Sequence, residues 1–158
     1  MFLRALAAFI ILPGTVAGLI PALMAHSDPW RGRAIMFPGA VLMSAGLFLL
    51  LWCVRDFHVA GKGTLAPWDP PKRLVAVGLY RFSRNPMYIA VMTLVGGWAL
   101  LAASPLLVAY LLGLCIVFHL RVLLYEEPCL SKMFGQEWTD YCAKTHRWIN
   151  VRGRKGRN

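Results

Sequence analysis

The chain has 158 residues, of which 58% are hydrophobic and only 15% are charged, and its formal net charge is +10. Soluble domains are usually about half apolar and a quarter charged, so this composition argues against an ordinary water-soluble domain. The apolar residues are concentrated in long runs, which indicates a membrane protein. The placement of the positive charge, near the ends of these runs, argues against nucleic acid as the partner.

Four runs are long enough to cross a bilayer as helices, because about 17–25 apolar residues span the hydrocarbon core and backbone in lipid must satisfy its own hydrogen bonds. The spans are expected at about residues 5–25, 34–54, 87–103 and 106–125. The first run is too long for a signal peptide, and Ala25-His26-Ser27 is a weak cleavage signal. We therefore expect an all-α, four-span protein with a single membrane domain over residues 1–150.

Basic residues are distributed unevenly among the connections between these spans. The connection from Arg55 to Pro86 holds six and the chain from Arg121 onward holds eight, whereas the connection around Ser104 holds none. Lysine and arginine mark the cytoplasmic side of membrane proteins. We expect both termini on the cytoplasmic side, in a bacterial inner membrane. The basic tail, residues 151–158, should be attracted to anionic membrane lipids.

The four cysteines do not form the pattern of a disulfide framework. Cys53 and Cys115 fall inside predicted spans, and Cys129 and Cys142 fall on the predicted cytoplasmic side, where thiols stay reduced. A zinc site built from Cys129, Cys142 and His146 is an alternative, but the paired spacing typical of such sites is missing. The prediction is therefore that no metal is bound.

Only Ser104-Pro105 separates the third and fourth predicted spans. Serine is a good N-cap and proline suits the first turn of a helix, so these two spans should form a tight antiparallel hairpin. The hairpin would bring Asn85-Pro86, at the start of one helix, close to residues 121–127, at the end of the other. Asn85 is expected to cap the third span.

Apolar residues recur after the fourth span at spacings of four, four and three, as on one face of a helix. They are Leu130, Phe134, Trp138 and Tyr141. This pattern predicts a C-terminal amphipathic helix that lies over the cytoplasmic face of the protein.

Ionisable residues cluster where the fourth span should end, and such residues at a membrane edge are candidates for function because burying them is costly. Arg121 could simply snorkel to the surface. Acidic residues at a helix C-terminus oppose the helix dipole, so Glu126 and Glu127 should need a positive partner. Arg84, Arg81 or a cationic ligand could supply it.

The segment from Gly78 to Tyr88 is rich in groups that could bind a ligand. A helix that starts at Pro86 would offer free N–H groups to a carboxylate. Tyr80 and Tyr88 offer flat faces for an adenine or a sulfonium. A basic loop with interfacial tyrosines is the alternative interpretation, and the residues alone do not separate the two.

Two motifs, taken together, resemble the isoprenylcysteine carboxyl methyltransferase and phospholipid methyltransferase superfamily. The first is Leu74-Val75-x-x-Gly78-x-Tyr80-x-x-x-Arg84-Asn85-Pro86-x-Tyr88, and the second is Glu126-Glu127 followed by Phe134-Gly135-x-Glu137-Trp138-x-x-Tyr141. The resemblance extends from Gly63 to Trp148. It implies a binding site for S-adenosylmethionine formed by the third span, the fourth span and the C-terminal helix.

Site residues follow from this resemblance position by position. It implies that the cofactor is bound by Lys72, Arg73, Leu74, Val75, Tyr80, Arg84, Asn85, Pro86, Tyr88 and Glu126. Arg121 and Glu127 are the candidate catalytic residues, the first to orient the acceptor and the second, with Glu126, to accept a proton from an amine.

The chain departs from the superfamily pattern at two positions. Asn85 replaces the usual histidine, and an asparagine cannot titrate, which puts any role of an imidazole there in doubt. The substrate arginine of the eukaryotic branch aligns with Val122, and Arg121 is its neighbour.

The predicted function is methyl transfer from S-adenosylmethionine to a lipid-like or apolar acceptor, such as an isoprenylcysteine-type carboxylate or a phospholipid amine, at the cytoplasmic membrane surface. A membrane reductase related to sterol reductases, and a small membrane scaffold or transporter, are the alternatives. The sequence does not indicate an oligomeric state.

Overall fold

The computed structural model describes residues 10–30, 32–33, 35–61 and 73–149, and in these ranges all regular structure is helical. The all-α prediction is therefore confirmed for this part of the chain. The helical segments in chain order are a π-helical segment Ile10–Leu19, α1 (Ile20–Ser27), α2 (Met36–Gly61), a 3-10 turn Gly78–Arg81, α3 (Pro86–Ala102), α4 (Pro105–Arg121), a π-helical segment Val122–Glu126, α5 (Glu127–Phe134) and α6 (Gln136–Lys144).

Two helical stretches are long and apolar enough to cross a membrane, Met36–Phe57 and Pro105–Phe134. They coincide with the predicted second and fourth spans. The predicted third span, 87–103, corresponds to α3, an apolar helix of 17 residues. The predicted first span, 5–25, lies partly outside the described residues. The described part of the chain is thus helical with two candidate membrane spans, and the number of spans stays a prediction.

Helices α2 and α3 pack against each other more extensively than any other described pair. Their close approach depends on glycine. A Cβ atom on Gly97 would lie 2.7 Å from the backbone nitrogen of Met43, and one on Gly46 would lie 2.7 Å from the backbone nitrogen of Leu94. Small residues of this kind let membrane helices pack backbone to backbone.

The connection between α3 and α4 is the predicted tight hairpin. The Ser104 hydroxyl accepts a hydrogen bond from the Leu107 N–H at 3.2 Å, and Pro105 is the first residue of α4. The same hydroxyl donates to the buried carboxylate of Asp28, which also accepts the Leu106 N–H at 3.3 Å. Asp28, which directly follows α1, therefore ties the end of α1 to the turn of the hairpin.

The helix of the fourth predicted span continues beyond the predicted bounds of that span. The helix does not stop at Tyr125, because α4 continues through the π-helical segment into α5 as far as Phe134. The π-helical segment lies just ahead of Pro128, a residue that lacks an N–H and crowds the carbonyl group four residues earlier. Glu126 and Glu127 lie in the middle of this helical run, so the argument from a helix C-terminus does not apply to them.

The predicted C-terminal helix is divided into two. Gly135, with φ 52°, separates α5 from α6, so Leu130 and Phe134 lie on a different helix from Trp138 and Tyr141. A single continuous amphipathic helix was therefore a wrong prediction. Trp138 and Tyr141 are buried, which places the apolar side of α6 against the rest of the protein.

Candidate functional site

Three predicted site residues, one from each motif and Arg121, meet at the beginning of α3. The Tyr88 hydroxyl donates a hydrogen bond to Oε1 of Glu126. The Arg121 Nε group donates to the same oxygen at 2.9 Å and to the Tyr88 hydroxyl at 3.1 Å. We call Tyr88, Arg121 and Glu126 the Tyr88 cluster. Arg121 and Glu126 lie 33 and 38 residues after Tyr88 in the chain, and the α3–α4 hairpin brings the three residues together.

Aromatic packing fixes the position of this cluster. The Tyr88 ring stacks on Phe118 of α4, with 4.4 Å between ring centroids and 29° between the ring planes. The guanidinium carbon of Arg121 lies 5.9 Å from the centroid of Tyr125. Since the side chains of Arg121 and Glu126 are 45% and 26% exposed, the cluster is anchored on one side and accessible on the other.

Glu127 forms a second cluster with two arginines. Arg147 binds it with two hydrogen bonds of 2.8 Å each, from Nε to Oε1 and from Nη2 to Oε2. Arg84 Nη1 lies 3.1 Å from Oε1. We call Glu127, Arg84 and Arg147 the Glu127 cluster. Both carboxylate oxygens of Glu127 are therefore occupied, which suits this residue to a structural ion pair better than to its predicted role as a proton acceptor.

Arg84 is the most enclosed member of the Glu127 cluster. Its side chain is 14% exposed, its Nη1 lies 2.8 Å from Sγ of Cys142, and its guanidinium carbon lies 5.7 Å from the centroid of the Trp138 ring. Its Nε is buried and has no hydrogen-bond partner among the described residues. A buried N–H group without a partner is costly, so this nitrogen is a donor that a ligand could satisfy.

Consecutive residues of a helix project in different directions, which separates the two clusters. Glu126 and Glu127 are adjacent in the chain, yet the first binds Arg121 and the second binds Arg84 and Arg147. Neither carboxylate is left without a cation. The prediction that both would need a positive partner is confirmed, and Arg84, which was one of the suggested partners, is the partner of Glu127. Arg81 is exposed.

The C-terminal segment from Thr145 to Trp148 is fastened to the residues that precede α3, and we call it the C-terminal strap. The Arg84 N–H donates to the His146 carbonyl oxygen at 2.9 Å. Two side chains donate to the Arg147 carbonyl oxygen, Ser83 through Oγ at 3.3 Å and Asn85 through Nδ2 at 3.0 Å. Asn85 occupies the N-cap position of α3, as expected, but its side chain makes no capping hydrogen bond, because its amide group is used to hold the strap.

Tyr80 and its neighbours form the base of the site. The Tyr141 hydroxyl donates to the Tyr80 carbonyl oxygen at 2.6 Å, and Tyr80 packs with Cys53 and Val75 in a buried apolar cluster. Burial raises the pKa of Tyr80 well above its ordinary value, and nearby Cys53, Tyr141, Asp56 and Glu126 add to this effect. Burial likewise raises the pKa of Tyr141. Both phenols are therefore neutral at physiological pH.

The other residues of the first motif differ in their surroundings. Pro86 is buried as the first residue of α3, and Val75 is a core residue. Leu74 is half-buried and Arg73 is exposed. Lys72 lies outside the described residues. None of these residues belongs to either cluster.

Asp56 was not identified from the sequence, although it shapes the site. It is buried near the end of α2, and its Oδ2 accepts the Leu79 N–H at 3.4 Å. Gly78, the residue before Leu79, has φ +54°, and a Cβ atom on it would lie 1.8 Å from Oδ2 of Asp56. An acidic residue just beyond the end of a predicted apolar span was a signal that could have pointed to it. No comparable feature of the sequence pointed to Arg147 as a site residue.

Metal ligands do not converge in the described part of the chain, where no group of three or more His, Cys, Asp or Glu residues could hold an ion. The zinc alternative with Cys129, Cys142 and His146 is therefore not supported. Cys142 contacts Arg84 instead.

Comparison with known proteins places this geometry in a family. A family model described as phospholipid methyltransferase matches residues 34–137, well over half of the chain. The chain belongs to this family. The matched range contains α2 to α5, the whole Tyr88 cluster, and Arg84 and Glu127 of the second cluster. Membership of the phospholipid methyltransferase family confirms the resemblance noted in the two motifs.

Two curated relatives of this family member are both described as probable protein-S-isoprenylcysteine O-methyltransferase, one from Oryza sativa subsp. indica and one from Oryza sativa subsp. japonica. Each is 32% identical to the chain over 80 residues, which is 50% of this chain and 41% of the relative. The chain thus spans about two fifths of the length of these relatives. No solved structure matches.

Proposed function

We propose that this chain is an integral membrane enzyme that transfers the methyl group of S-adenosylmethionine to a lipid-like or apolar acceptor at the cytoplasmic membrane surface. The observation that carries this proposal is the Tyr88 cluster, in which the two motifs meet through direct hydrogen bonds. Membership of the phospholipid methyltransferase family supports the class of reaction. The descriptions of the two relatives support an isoprenylcysteine carboxylate as one acceptor. The description of the family supports a phospholipid amine as the other.

The side chains fit the proposed cofactor. S-adenosylmethionine carries a carboxylate, an ammonium group, ribose hydroxyls and an adenine, and when bound it supplies a methyl group activated by the sulfonium. Within the described part of the chain, Oε2 of Glu126 makes no hydrogen bond, so it can accept one from an ammonium or hydroxyl group.

The chain's own residues are suited to positioning. Methyl transfer is an in-line displacement that depends on the approach and alignment of the reactants, and it needs no covalent nucleophile from the protein. Tyr88 and Arg121 together hold Oε1 of Glu126, which fixes the direction of its second oxygen. Stacking on Phe118 holds Tyr88 in turn. Such preorganised polar groups act on a ligand without having to rearrange first.

Arg121 keeps in this proposal the role that the sequence suggested and gains a second one. Its Nε belongs to the Tyr88 cluster, so it supports Glu126 as well as facing the accessible side of the site. We propose that it orients an anionic group of the acceptor from there. For an amine acceptor, Glu126 is the better proton acceptor, since both oxygens of Glu127 are engaged by arginines.

The proposed setting is a four-span protein in a bacterial inner membrane, with both termini and the site on the cytoplasmic side. The concentration of basic residues after α2 and at the C-terminus supports this orientation. The water-soluble cofactor would then reach the site from the cytoplasm, and an apolar acceptor would reach it laterally from the bilayer.

The test is methyl transfer by the purified protein in nanodiscs, with methyl-labelled S-adenosylmethionine and a total lipid extract. We expect label in the organic phase and binding of S-adenosylmethionine in the absence of the extract. Asp140→Asn, on the exposed side of α6, is the control variant and should keep full activity. Binding of NADPH in place of S-adenosylmethionine would favour the reductase alternative, and binding of neither would favour a scaffold or transporter.

A further inference from the structure

Asp56 is a buried carboxylate beside the site, and neither motif contains it. Its side chain is 8% exposed, and its Oδ2 accepts the Leu79 N–H at 3.4 Å. Its one ion-pair partner within the described part of the chain is Arg55, whose Nη1 lies 3.5 Å from Oδ1 and whose side chain is 73% exposed. A long contact to an exposed guanidinium compensates a charge only weakly, because solvent screens it. Most of the negative charge of Asp56 is therefore uncompensated.

The contacts within the chain do not explain why this position carries a charge. A buried carboxylate without a strong partner is costly. The hydrogen bond from Leu79 does not require a charge, because a neutral amide oxygen could accept the same N–H. Glu127 shows the contrast, since two guanidinium groups occupy both of its oxygens. The charge of Asp56, as distinct from its shape, is therefore left to act on a ligand.

Tyr80 connects this carboxylate to the proposed cofactor site. It directly follows Leu79, whose N–H is bound by Asp56. The apolar cluster around Tyr80 also includes Met87, the residue before Tyr88. Asp56 and the Tyr88 cluster are therefore both joined to Tyr80 through residues that contact it.

The Tyr80 phenol responds to the carboxylates of both Asp56 and Glu126. Tyr80 is 7% exposed, and its hydroxyl group makes no hydrogen bond within the described part of the chain. Burial makes the largest contribution to its raised pKa, Cys53 and Tyr141 follow, and Asp56 and Glu126 raise the pKa further. A nearby negative charge raises the pKa of a phenol, so both carboxylates act on the space around this hydroxyl group. The neutral phenol adds no charge of its own.

We infer that Asp56 is a specificity-determining residue, whose carboxylate acts with that of Glu126 to shift the binding preference of the site around Tyr80 from the neutral product toward the cationic cofactor. The inference rests on the proposed function and adds to it a residue outside both motifs. Methyl transfer forms a bond to the acceptor and leaves the electron pair of the broken C–S bond on sulfur. The sulfonium of S-adenosylmethionine thus becomes the neutral thioether of S-adenosylhomocysteine. Negative charge in a partly buried site distinguishes the two ligands by this single positive charge and so favours release of the product.

The first experiment measures binding without catalysis, by calorimetry on the full-length protein in nanodiscs. The readout is the Kd for S-adenosylhomocysteine divided by the Kd for S-adenosylmethionine, which we call the Kd ratio. Asp56→Asn keeps the shape and an oxygen that can accept the Leu79 N–H, and it removes only the charge. The Kd ratio should fall about three-fold to ten-fold, as expected for one charge in a partly buried site.

Asp140→Asn is the matched control for this experiment. It makes the same chemical change on the exposed side of α6 and should leave the Kd ratio unchanged. A purely structural role of Asp56 would change the affinity for both ligands equally. An unchanged Kd ratio in Asp56→Asn, with or without a loss of affinity for both ligands, would therefore overturn the inference.

The second experiment changes the same charge balance in the opposite direction and leaves the buried carboxylate in place. Arg55→Gln removes the exposed guanidinium beside Asp56. The Kd ratio should rise, by about two-fold because the contact is long and screened. Lys144→Gln removes an exposed cation of α6 and is the control. If Asp56→Asn does not fold, a Kd ratio that stays the same in Arg55→Gln would overturn the inference.

Failure of the inference can be told apart from failure of the proposed function. Methyl transfer by the unaltered protein, together with an unchanged Kd ratio in Asp56→Asn, would leave the function in place and overturn the inference. A Kd ratio that falls as expected, without methyl transfer to any acceptor, would support the inference and remove the proposed reaction. Binding of neither ligand by the unaltered protein would overturn both.

Discussion

Asn85 donates a hydrogen bond through Nδ2 to the backbone carbonyl oxygen of Arg147, at 3.0 Å, and so joins the start of α3 to the C-terminal strap. The superfamily pattern has a histidine at this position. An asparagine amide is a neutral donor at every pH, which suits it to hold a carbonyl oxygen permanently. The departure from the pattern therefore has a structural use in this chain.

Asn85→Ala should loosen the C-terminal strap. The substitution removes one neutral hydrogen bond, worth about 0.5–1.5 kcal/mol, and leaves the Ser83 hydroxyl bound to the same carbonyl oxygen. Hydrogen–deuterium exchange of the peptides that contain residues 145–149 should become faster. Gln136→Ala removes an exposed hydrogen bond on α6 and is the control, for which exchange in the strap should not change. Unaltered exchange in Asn85→Ala would show that the other contacts of the strap hold it without Asn85.

Glu126→Gln should weaken the binding of S-adenosylmethionine by about ten-fold to a hundred-fold. The change removes the charge from hydrogen bonds that are typically worth about 1.5–3 kcal/mol. Tyr88→Phe, which removes only the hydroxyl that orients Glu126, should have a smaller effect in the same direction. Isothermal titration calorimetry measures both, with Asp140→Asn as the control. If both variants bind the cofactor as the unaltered protein does, the site lies elsewhere.

Arg121→Ala should reduce turnover more than it reduces cofactor affinity. Arg121 supports Glu126 through Nε, so some loss of affinity is expected, but its proposed contact with the acceptor exists only during the reaction. Arg121→Lys should not restore full activity, because an ammonium group cannot reproduce the geometry of the guanidinium. Steady-state rates and calorimetry on the same preparations separate the two effects. Equal losses of affinity and turnover in Arg121→Ala would argue that Arg121 only supports Glu126.

Gly97→Ala should destabilise the packing of α2 against α3. Its Cβ atom would come within 2.7 Å of the backbone of Met43, and overpacking of this kind typically costs about 1–3 kcal/mol. Gly96→Ala is a matched control on the preceding residue, where the added Cβ atom would lie 3.8 Å from its nearest neighbour, an atom of Leu111. Thermal unfolding in detergent should show a lower Tm for Gly97→Ala alone. Equal Tm values would mean that the two helices can separate without cost.

Cysteines introduced on the two sides of the protein should label from opposite sides of the membrane. Arg73→Cys lies after the second predicted span and Trp30→Cys lies in the connection between α1 and α2, and both positions are exposed. On a cysteine-free background, a membrane-impermeant maleimide should reach position 30 from outside the cell and position 73 only after permeabilisation. The reverse pattern would invert the proposed topology.

The sequence predicted a helix end correctly where the group that stabilises that end is close to it in the chain. Ser104 and Pro105 start α4 as expected, because a cap hydroxyl and a fixed φ act within one turn. The end of that helix was misjudged, since the carboxylates of Glu126 and Glu127 are neutralised by guanidinium groups, two of which come from distant positions, Arg84 and Arg147. The N-cap position of Asn85 was predicted correctly, but the partner of its side chain was not, because that partner is 62 residues away. The motifs located the site, and the contacts within it depended on tertiary structure.

Asp28 binds the Ser104 hydroxyl and the Leu106 N–H at the turn of the α3–α4 hairpin, the end of that hairpin farthest from Tyr88. Stacking of Tyr88 on Phe118 and the hydrogen bonds of the Tyr88 cluster hold the opposite end of the same hairpin. Helices α3 and α4 are therefore fastened at both ends. Through Asp28, α1 is joined to the same rigid unit as the Tyr88 cluster, although the two lie at opposite ends of the hairpin.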